Sequence, residues 1–185
     1  GVNYNNTKTG QSGNFRYNAA DKNSLSSDRV NAIFEDSRHN LWFATEEGLC
    51  LFNREKKTFK RITTADGLPS NFTIALLEDE KANLWISTTK GLVCYNPATQ
   101  KMAVYTIANG LLSDQFNFSS AYKDKSNRMY FGSAKGLIHF DPSAFTNNNY
   151  IPPVYITGFQ VLNEELPITP TGSPLTKSVT YTDKV

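Results

Sequence analysis

The chain has 185 residues and a formal charge of +2, with both signs scattered along it. That balance offers no basic run of the kind that tracks a phosphate backbone, so contact with nucleic acid is not expected. It opens Gly-Val and contains no apolar run long enough for a signal peptide or a membrane span, so we expect a piece excised from a longer protein.

In chain order, Gly1-Val-Asn-Tyr corresponds to a position that recurs at Gly48, and GNFRY at 13–17 reads as an outer strand. Residues 1–23 are therefore expected to be the outer strands of an incomplete unit. The unit itself is written three times. NLWFATEEGL (40–49) and NLWISTTKGL (83–92) keep Trp42 to Trp85 and Gly48 to Gly91 each 43 residues apart. A weaker copy, RMYFGSAKGL, puts Tyr130 and Gly136 each 45 beyond Trp85 and Gly91. Leu25, Leu68 and Leu111 keep the step of 43 in SLSSD, GLPSN and GLLSD, and IFEDSRHN is matched by LLEDEKAN and AYKDKSNR. A period of this size marks stacked supersecondary units and overrides a single-domain reading from length.

Each unit reads as four strands. In the second, FTIALLE, LWIST, GLVCYN and MAVYTI are short β-branched or aromatic runs separated by turn residues, and the first copy offers RVNAIFE, LWFAT, GLCLFN and FKRIT in the same order. Asp36 to Asn40 and Asp79 to Asn83 bracket polar hairpin tips, where short carbonyl side chains bond the local backbone. Gly48, Gly91 and Gly136 open the third strand, where a missing Cβ permits positive φ or close approach of a neighbour. The first three strands are almost continuously apolar, so both faces of each small sheet must be covered. Small antiparallel sheets covered by copies of themselves are propeller blades.

The expected fold is all-β: an incomplete β-propeller of four-stranded antiparallel blades, followed by the first strands of a β-sandwich. Blades are placed at 24–65, 66–108 and 109–145, the last with two extra residues and no clear outer strand. TNNNYIPP (146–153) reads as a linker, and VYITGFQVLNEELPI resumes strand-like alternation in a further domain at 154–185. A closed propeller needs roughly four to eight blades, so self-association is expected to cover the exposed faces and edges. Cys50 and Cys94 fall on opposite strand faces, which argues against a disulfide.

The unit L-x-S-[DN]-x-x-x-x-[IL]-x-E-D-x-x-x-N-L-W-x-x-T-x-x-G-L resembles the two-component regulator propeller repeat. FNFSSAYKDKSNRMYFGSAKGLIHFDP resembles its last-blade variant, and PPVYITGFQVLNEELPI the start of the immunoglobulin-like (Y_Y_Y) domain that follows such propellers in bacterial hybrid two-component sensors. The resemblance implies a periplasmic segment of an inner-membrane histidine kinase that senses glycans or their breakdown products and signals across the membrane to regulate transcription. It implies no catalysis by this segment itself.

Packing and turn roles compete with chemistry at each candidate residue. Trp42, Trp85 and Tyr130 suit sugar stacking, but a position repeated in every unit suits a seam filler better; burying such a ring removes about 150–250 Å² from water. Asp36, Asp79 and Asp124 suggest a glycosidase, yet paired carboxylates must converge about 5–10 Å apart across a sugar, whereas repeated aspartates splay around a rim. His39 and His139 lie two units apart without nearby Cys or acidic partners, so neither a metal site nor a cofactor is expected. The loop entering the first strand and the loop between the second and third emerge on one face. There Asp28, Arg29, Glu46, Glu47, Asn71, Lys90, Gln115, Asn117 and Lys135 vary from unit to unit, and variation on a fixed scaffold is how loops acquire specificity. These, Glu47 excepted, are the expected ligand-binding residues, the ligand being an oligosaccharide or other glycan-derived molecule. The alternatives are a structural or dimerisation module and a carbohydrate-active enzyme.

Overall fold

The computed structural model describes residues 1–145, 160–162 and 164–165. The chain divides into two units, Gly1–Phe145 and Thr146–Val185. In the first, β1 (Val2–Asn5) and β2 (Ser12–Phe15) form a two-stranded sheet. β3 (Val30–Glu35), β4 (Leu41–Thr45), β5 (Gly48–Asn53) and β6 (Thr58–Ile62) make a four-stranded antiparallel sheet in chain order. The next sheet repeats it with β7 (Thr73–Glu78), β8 (Leu84–Thr88), β9 (Gly91–Asn96) and β10 (Lys101–Tyr105). The last has three strands, β11 (Phe116–Lys123), β12 (Met129–Ser133) and β13 (Gly136–Phe140). In the second unit, β14 (Gln160–Val161) pairs with β15 (Glu164–Glu165). The expected linker at 146–153 lies outside the described residues, as does nearly all of the expected immunoglobulin-like segment at 154–185.

Turn chemistry explains why each sheet is cut where it is. At the tip between the first and second strands, Asp36 Oδ1 accepts the N–H groups of Arg38 (3.0 Å) and Asn40 (2.8 Å). Asp79 Oδ1 does the same for Lys81 and Asn83, both at 2.9 Å. Between the second and third strands, Thr45, Thr88 and Ser133 each donate a hydroxyl to the carbonyl of Gly48, Gly91 or Gly136 at 2.7 Å, closing a hairpin with a two-residue loop. Glycine is required there: φ is +120° at Gly48 and +113° at Gly91, and a Cβ on Gly91 would sit 2.5 Å from the Tyr105 carbonyl oxygen. Single 3₁₀ turns at Thr64–Asp66 and Ile107–Asn109 then carry the chain from each outer strand to the next sheet. After β13 a 3₁₀ turn spans Pro142–Ala144, and the described residues add no fourth strand to this sheet.

The sheets are arranged radially, because the first strands β3, β7 and β11 contact one another in succession. That makes an incomplete β-propeller, with no closed ring among the described residues. Trp42 (1% exposed) fills the seam between the two four-stranded sheets with Leu76, Ile86, Val93 and Tyr95. Trp85 (1% exposed) fills the next seam with Phe116, Met129 and Phe131, and its ring lies 4.7 Å from that of Phe140. At roughly 25 cal/mol per Å² each indole contributes at most about 4–6 kcal/mol. Tyr130, at the same position of the third copy, is only half-buried, because no further sheet covers it among the described residues. Both cysteines are free. Cys50 packs toward Val2 and Phe15, whereas Cys94 packs in the Trp85 seam, where burial pushes its thiol up to about 11.

Candidate functional site

The two ends of each sheet differ in chemistry. At the end of the aspartate tips, Asp36 Oδ2 accepts from Asn40 Nδ2 (2.9 Å) and from the buried Trp42 Nε1 (2.8 Å). Asp79 Oδ2 repeats this with Asn83 Nδ2 (2.9 Å) and Trp85 Nε1 (3.0 Å). Asp124 Oδ2 accepts the Tyr130 hydroxyl at 3.0 Å, and Arg128 stands where the asparagine would be. The D-x-x-x-N-x-W string is thus one structural clasp, in which a nearly buried carboxylate ties the tip to the indole in the seam. Burial pushes the Asp36 carboxyl up, but the hydrogen bonds from Trp42, Asn40 and Arg38 outweigh it and hold it below its ordinary 3.8. A carboxylate whose lone pairs are filled by four donors is poorly placed to serve as an acid or a nucleophile.

The opposite rim is made of the two-residue loops and of the segments leading into the first strands. One backbone bond recurs across all three sheets: Glu46 N donates to Arg29 O (3.3 Å), Thr89 N to Phe72 O (3.3 Å) and Ala134 N to Gln115 O (3.0 Å). Neighbouring sheets are stitched by Gly48 N to Asn71 O (2.7 Å) and Gly91 N to Asp114 O (2.8 Å). The variable positions sit on this repeated frame, so the rim is one continuous surface assembled from separate units.

The expected ligand-binding residues fall into three groups on that rim. Asp28 and Asn71 are partly used by the scaffold: Asp28 Oδ1 accepts Tyr17 N and Asn71 Oδ1 accepts Thr64 N, both at 2.8 Å. Asp114 takes Ile107 N at 2.7 Å in the same way, so this position of the repeat holds the chain that arrives from the preceding sheet. The Tyr17 hydrogen bond, aided by Arg16 nearby, holds the Asp28 carboxyl below its ordinary value. Arg29 and Glu46 form an ion pair at 3.4 Å on the rim of the first four-stranded sheet. Lys90, Gln115, Asn117 and Lys135 are exposed around the seam of the last two sheets, with Asn117 Nδ2 donating to Ser133 O at 3.1 Å.

Two aromatic residues of this rim were not anticipated. Phe72 precedes β7, and its ring lies 5.9 Å from that of Phe118, which is 57% exposed. The signal was present in the two additional residues of the third copy, which displace Phe118 from any position that the repeat would bury. Among the described residues no group of His, Cys, Asp and Glu could hold a metal ion.

A radial set of small antiparallel sheets with a repeated clasp at one rim and a varied surface at the other defines a propeller-type scaffold. Residues 24–47 match the family model of the two component regulator propeller. Histidine kinase P4 from Formosa agariphila is 33% identical over 163 residues, which is 88% of this chain but 9% of that protein. The extracellular domain of a putative hybrid two component system from B. thetaiotaomicron is similar with a TM-score of 0.63 and 29% identity, over 76% of this chain and 20% of that one. Virginiamycin B lyase from Staphylococcus aureus, at 14% identity, shares the fold alone, with a TM-score of 0.52 over 77% of this chain and 49% of its own. Residues 24–47 thus match a two-component regulator propeller repeat, and the chain as a whole is similar to the extracellular part of a hybrid two-component system, of which it spans a small share.

Proposed function

We propose that this chain is part of the extracytoplasmic sensor region of a hybrid two-component histidine kinase, periplasmic in location, and that its varied rim recognises a glycan-derived ligand without catalysing a reaction on it. The observation that carries the reading is the contrast between rims. The aspartate-bearing tips are locked into the clasp, whereas the other rim presents different side chains on an invariant backbone frame. To signal, the ligand must favour one arrangement of domains or chains over another. Titration calorimetry with a panel of oligosaccharides tests this: binding should occur and should fall when the exposed Lys90, Gln115 and Lys135 are replaced together, with the melting temperature unchanged. Release of new reducing ends from any of those sugars would instead support an enzyme.

A second reading, a module that mediates self-association, is favoured by the far face of the three-stranded sheet. Tyr122 (63% exposed) and Leu137 (61% exposed) stand there beside half-buried Tyr130. Covering such a face with a second copy removes apolar surface from water. Light scattering should then show a dimer or larger species that Leu137→Asp returns to monomer, while a monomer at every concentration would reject this reading.

A further inference from the structure

The third copy of the repeat departs from the other two at the rim, and the departure is built. In the four-stranded sheets the first strand carries one extra residue against its neighbour, between the pairs Thr73↔Thr88 and Ala75↔Ser87. In β11 the pairs are Phe116↔Ser133 and Ala121↔Phe131, so Asn117 to Ser120 lie opposite Gly132 alone. The bulge is anchored: Asn117 Nδ2 donates to Ser133 O at 3.1 Å, and Ser120 Oγ donates to Asn117 O at 2.6 Å. Ser119 sits at φ +52°, a conformation that L-residues other than glycine seldom adopt. Gly132 makes room, since a Cβ there would lie 2.7 Å from Ser120 Cβ. The equivalent residues of the other sheets, Ala44 and Ser87, do carry a Cβ.

These features hold one large apolar ring out in solvent. Phe118 is 57% exposed, yet its only aromatic neighbour among the described residues is Phe72, at 5.9 Å and an interplanar angle of 66°. A ring exposed by a pinned, left-handed bulge is pre-organised for a flat apolar partner, and ordering it on binding costs little entropy. Two lysines border the same seam, where the Asp114 carboxylate is already engaged in accepting Ile107 N at 2.7 Å. Lys90 follows Thr89, whose N–H bonds to Phe72 O, and Lys135 follows Ala134, whose N–H bonds to Gln115 O. Both lysines are exposed, and neither forms an ion pair among the described residues, whereas Arg29 on the neighbouring sheet is paired with Glu46.

We propose that Phe118, backed by Phe72, is a stacking platform for a pyranose ring, and that Lys90 and Lys135 beside it select an acidic sugar, one bearing a carboxylate. The C–H face of a pyranose covers an aromatic ring as another apolar face does, the exposed amides of Gln115 and Asn117 can bond its hydroxyls, and the two ammonium groups supply the charge complement. This deepens the glycan reading and rests on it.

The test is calorimetry of the 185-residue chain with an oligogalacturonate and with a neutral gluco-oligosaccharide of the same length. The acidic sugar should bind more tightly. Phe118→Ala should weaken it roughly tenfold or more, and Phe118→Tyr should retain it. Because Phe118 is exposed, the alanine variant should keep the parent's melting temperature, which separates lost binding from lost fold. Replacing Lys90 and Lys135 by Gln should erase the preference for the acidic sugar and flatten the salt dependence of its binding. Binding of either sugar that ignores Phe118→Ala would overturn the platform while leaving glycan recognition standing. Equal binding of the two sugars, lost with Phe118→Ala, would overturn the acidic preference. Failure of both sugars to bind would overturn the platform and count against glycan recognition itself.

Discussion

Trp85 and Tyr130 occupy the same place in consecutive copies, on the same strand and the same face, yet one is buried and the other half-exposed. Trp85 is covered by the three-stranded sheet; Tyr130 has no sheet beyond it among the described residues. The side chains follow suit. Leu77, Trp85 and Cys94 align across β7, β8 and β9, whereas Tyr122, Tyr130 and His139 align across β11, β12 and β13. One repeat therefore yields two surfaces, a dry seam and a polar-edged aromatic face, and the neighbour decides which is made.

The sharpest break in that comparison is truncation of the rings. Trp85→Ala should lower the free energy of unfolding by about 3–5 kcal/mol in urea titration, as loss of a fully packed aromatic does. Tyr130→Ala should cost about 1 kcal/mol, because its ring has already kept contact with water. Equal losses would mean that the third sheet is covered after all.

Next in size is the clasp. Asp79→Ala strands the buried indole N–H of Trp85 and frees the tip, so a loss of about 2–3 kcal/mol is expected. Asp124→Ala should cost less, since the Tyr130 hydroxyl can turn to water. At the rim, Gly91→Ala meets both a positive φ and the Tyr105 carbonyl oxygen, whereas Gly110, at φ +95°, has open space around its missing Cβ. Gly91→Ala should therefore cost about 2–3 kcal/mol and Gly110→Ala about 1 kcal/mol by thermal denaturation.

The pH dependence of stability sharpens the comparison further. The native Asp36 carboxyl titrates below its ordinary 3.8, so its contribution is complete at neutral pH and is lost as pH falls past that value toward the lower native one. Asp36→Asn should lower stability at pH 7 and make the decline between about pH 5 and pH 2 shallower. A slope unchanged by that substitution would show that Asp36 is no more strongly held when folded than when unfolded. The smallest effect belongs to the exposed Arg29–Glu46 pair, where Glu46→Gln should change stability by less than about 0.5 kcal/mol.

Much of the architecture was legible along the chain because a repeat repeats its turns. Asp-x-x-x-Asn, Thr-x-x-Gly and the short β-branched and aromatic runs between them place β7 to β9 within a residue of their observed limits. The 3₁₀ turns after β6 and β10 were not foreseen, although Thr63 with Asp66 and Thr106 with Asn109 carry the reciprocal side-chain bonds that cap such turns. The rim was legible only as a set of varying positions. Periodicity shows where variation is tolerated, not which side chains already have partners, so the scaffold roles of Asp28 and Asn71 went unseen. Phe118 was missed for a related reason, since the third copy's two extra residues show only as a gap in register.

The spacing of tryptophans, aspartates and glycines by itself determined that this protein is built of small antiparallel sheets stacked face to face. Local turn geometry and runs of strand-forming residues are short-range properties, and a step of 43 and then 45 residues writes them out again for each sheet. Only the tertiary structure decided which copy of an aromatic is sealed, which carboxylates are spent on their own fold, and that Phe118 stands outward. Those outcomes depend on what lies across a seam from each residue, and sequence separation does not encode that distance.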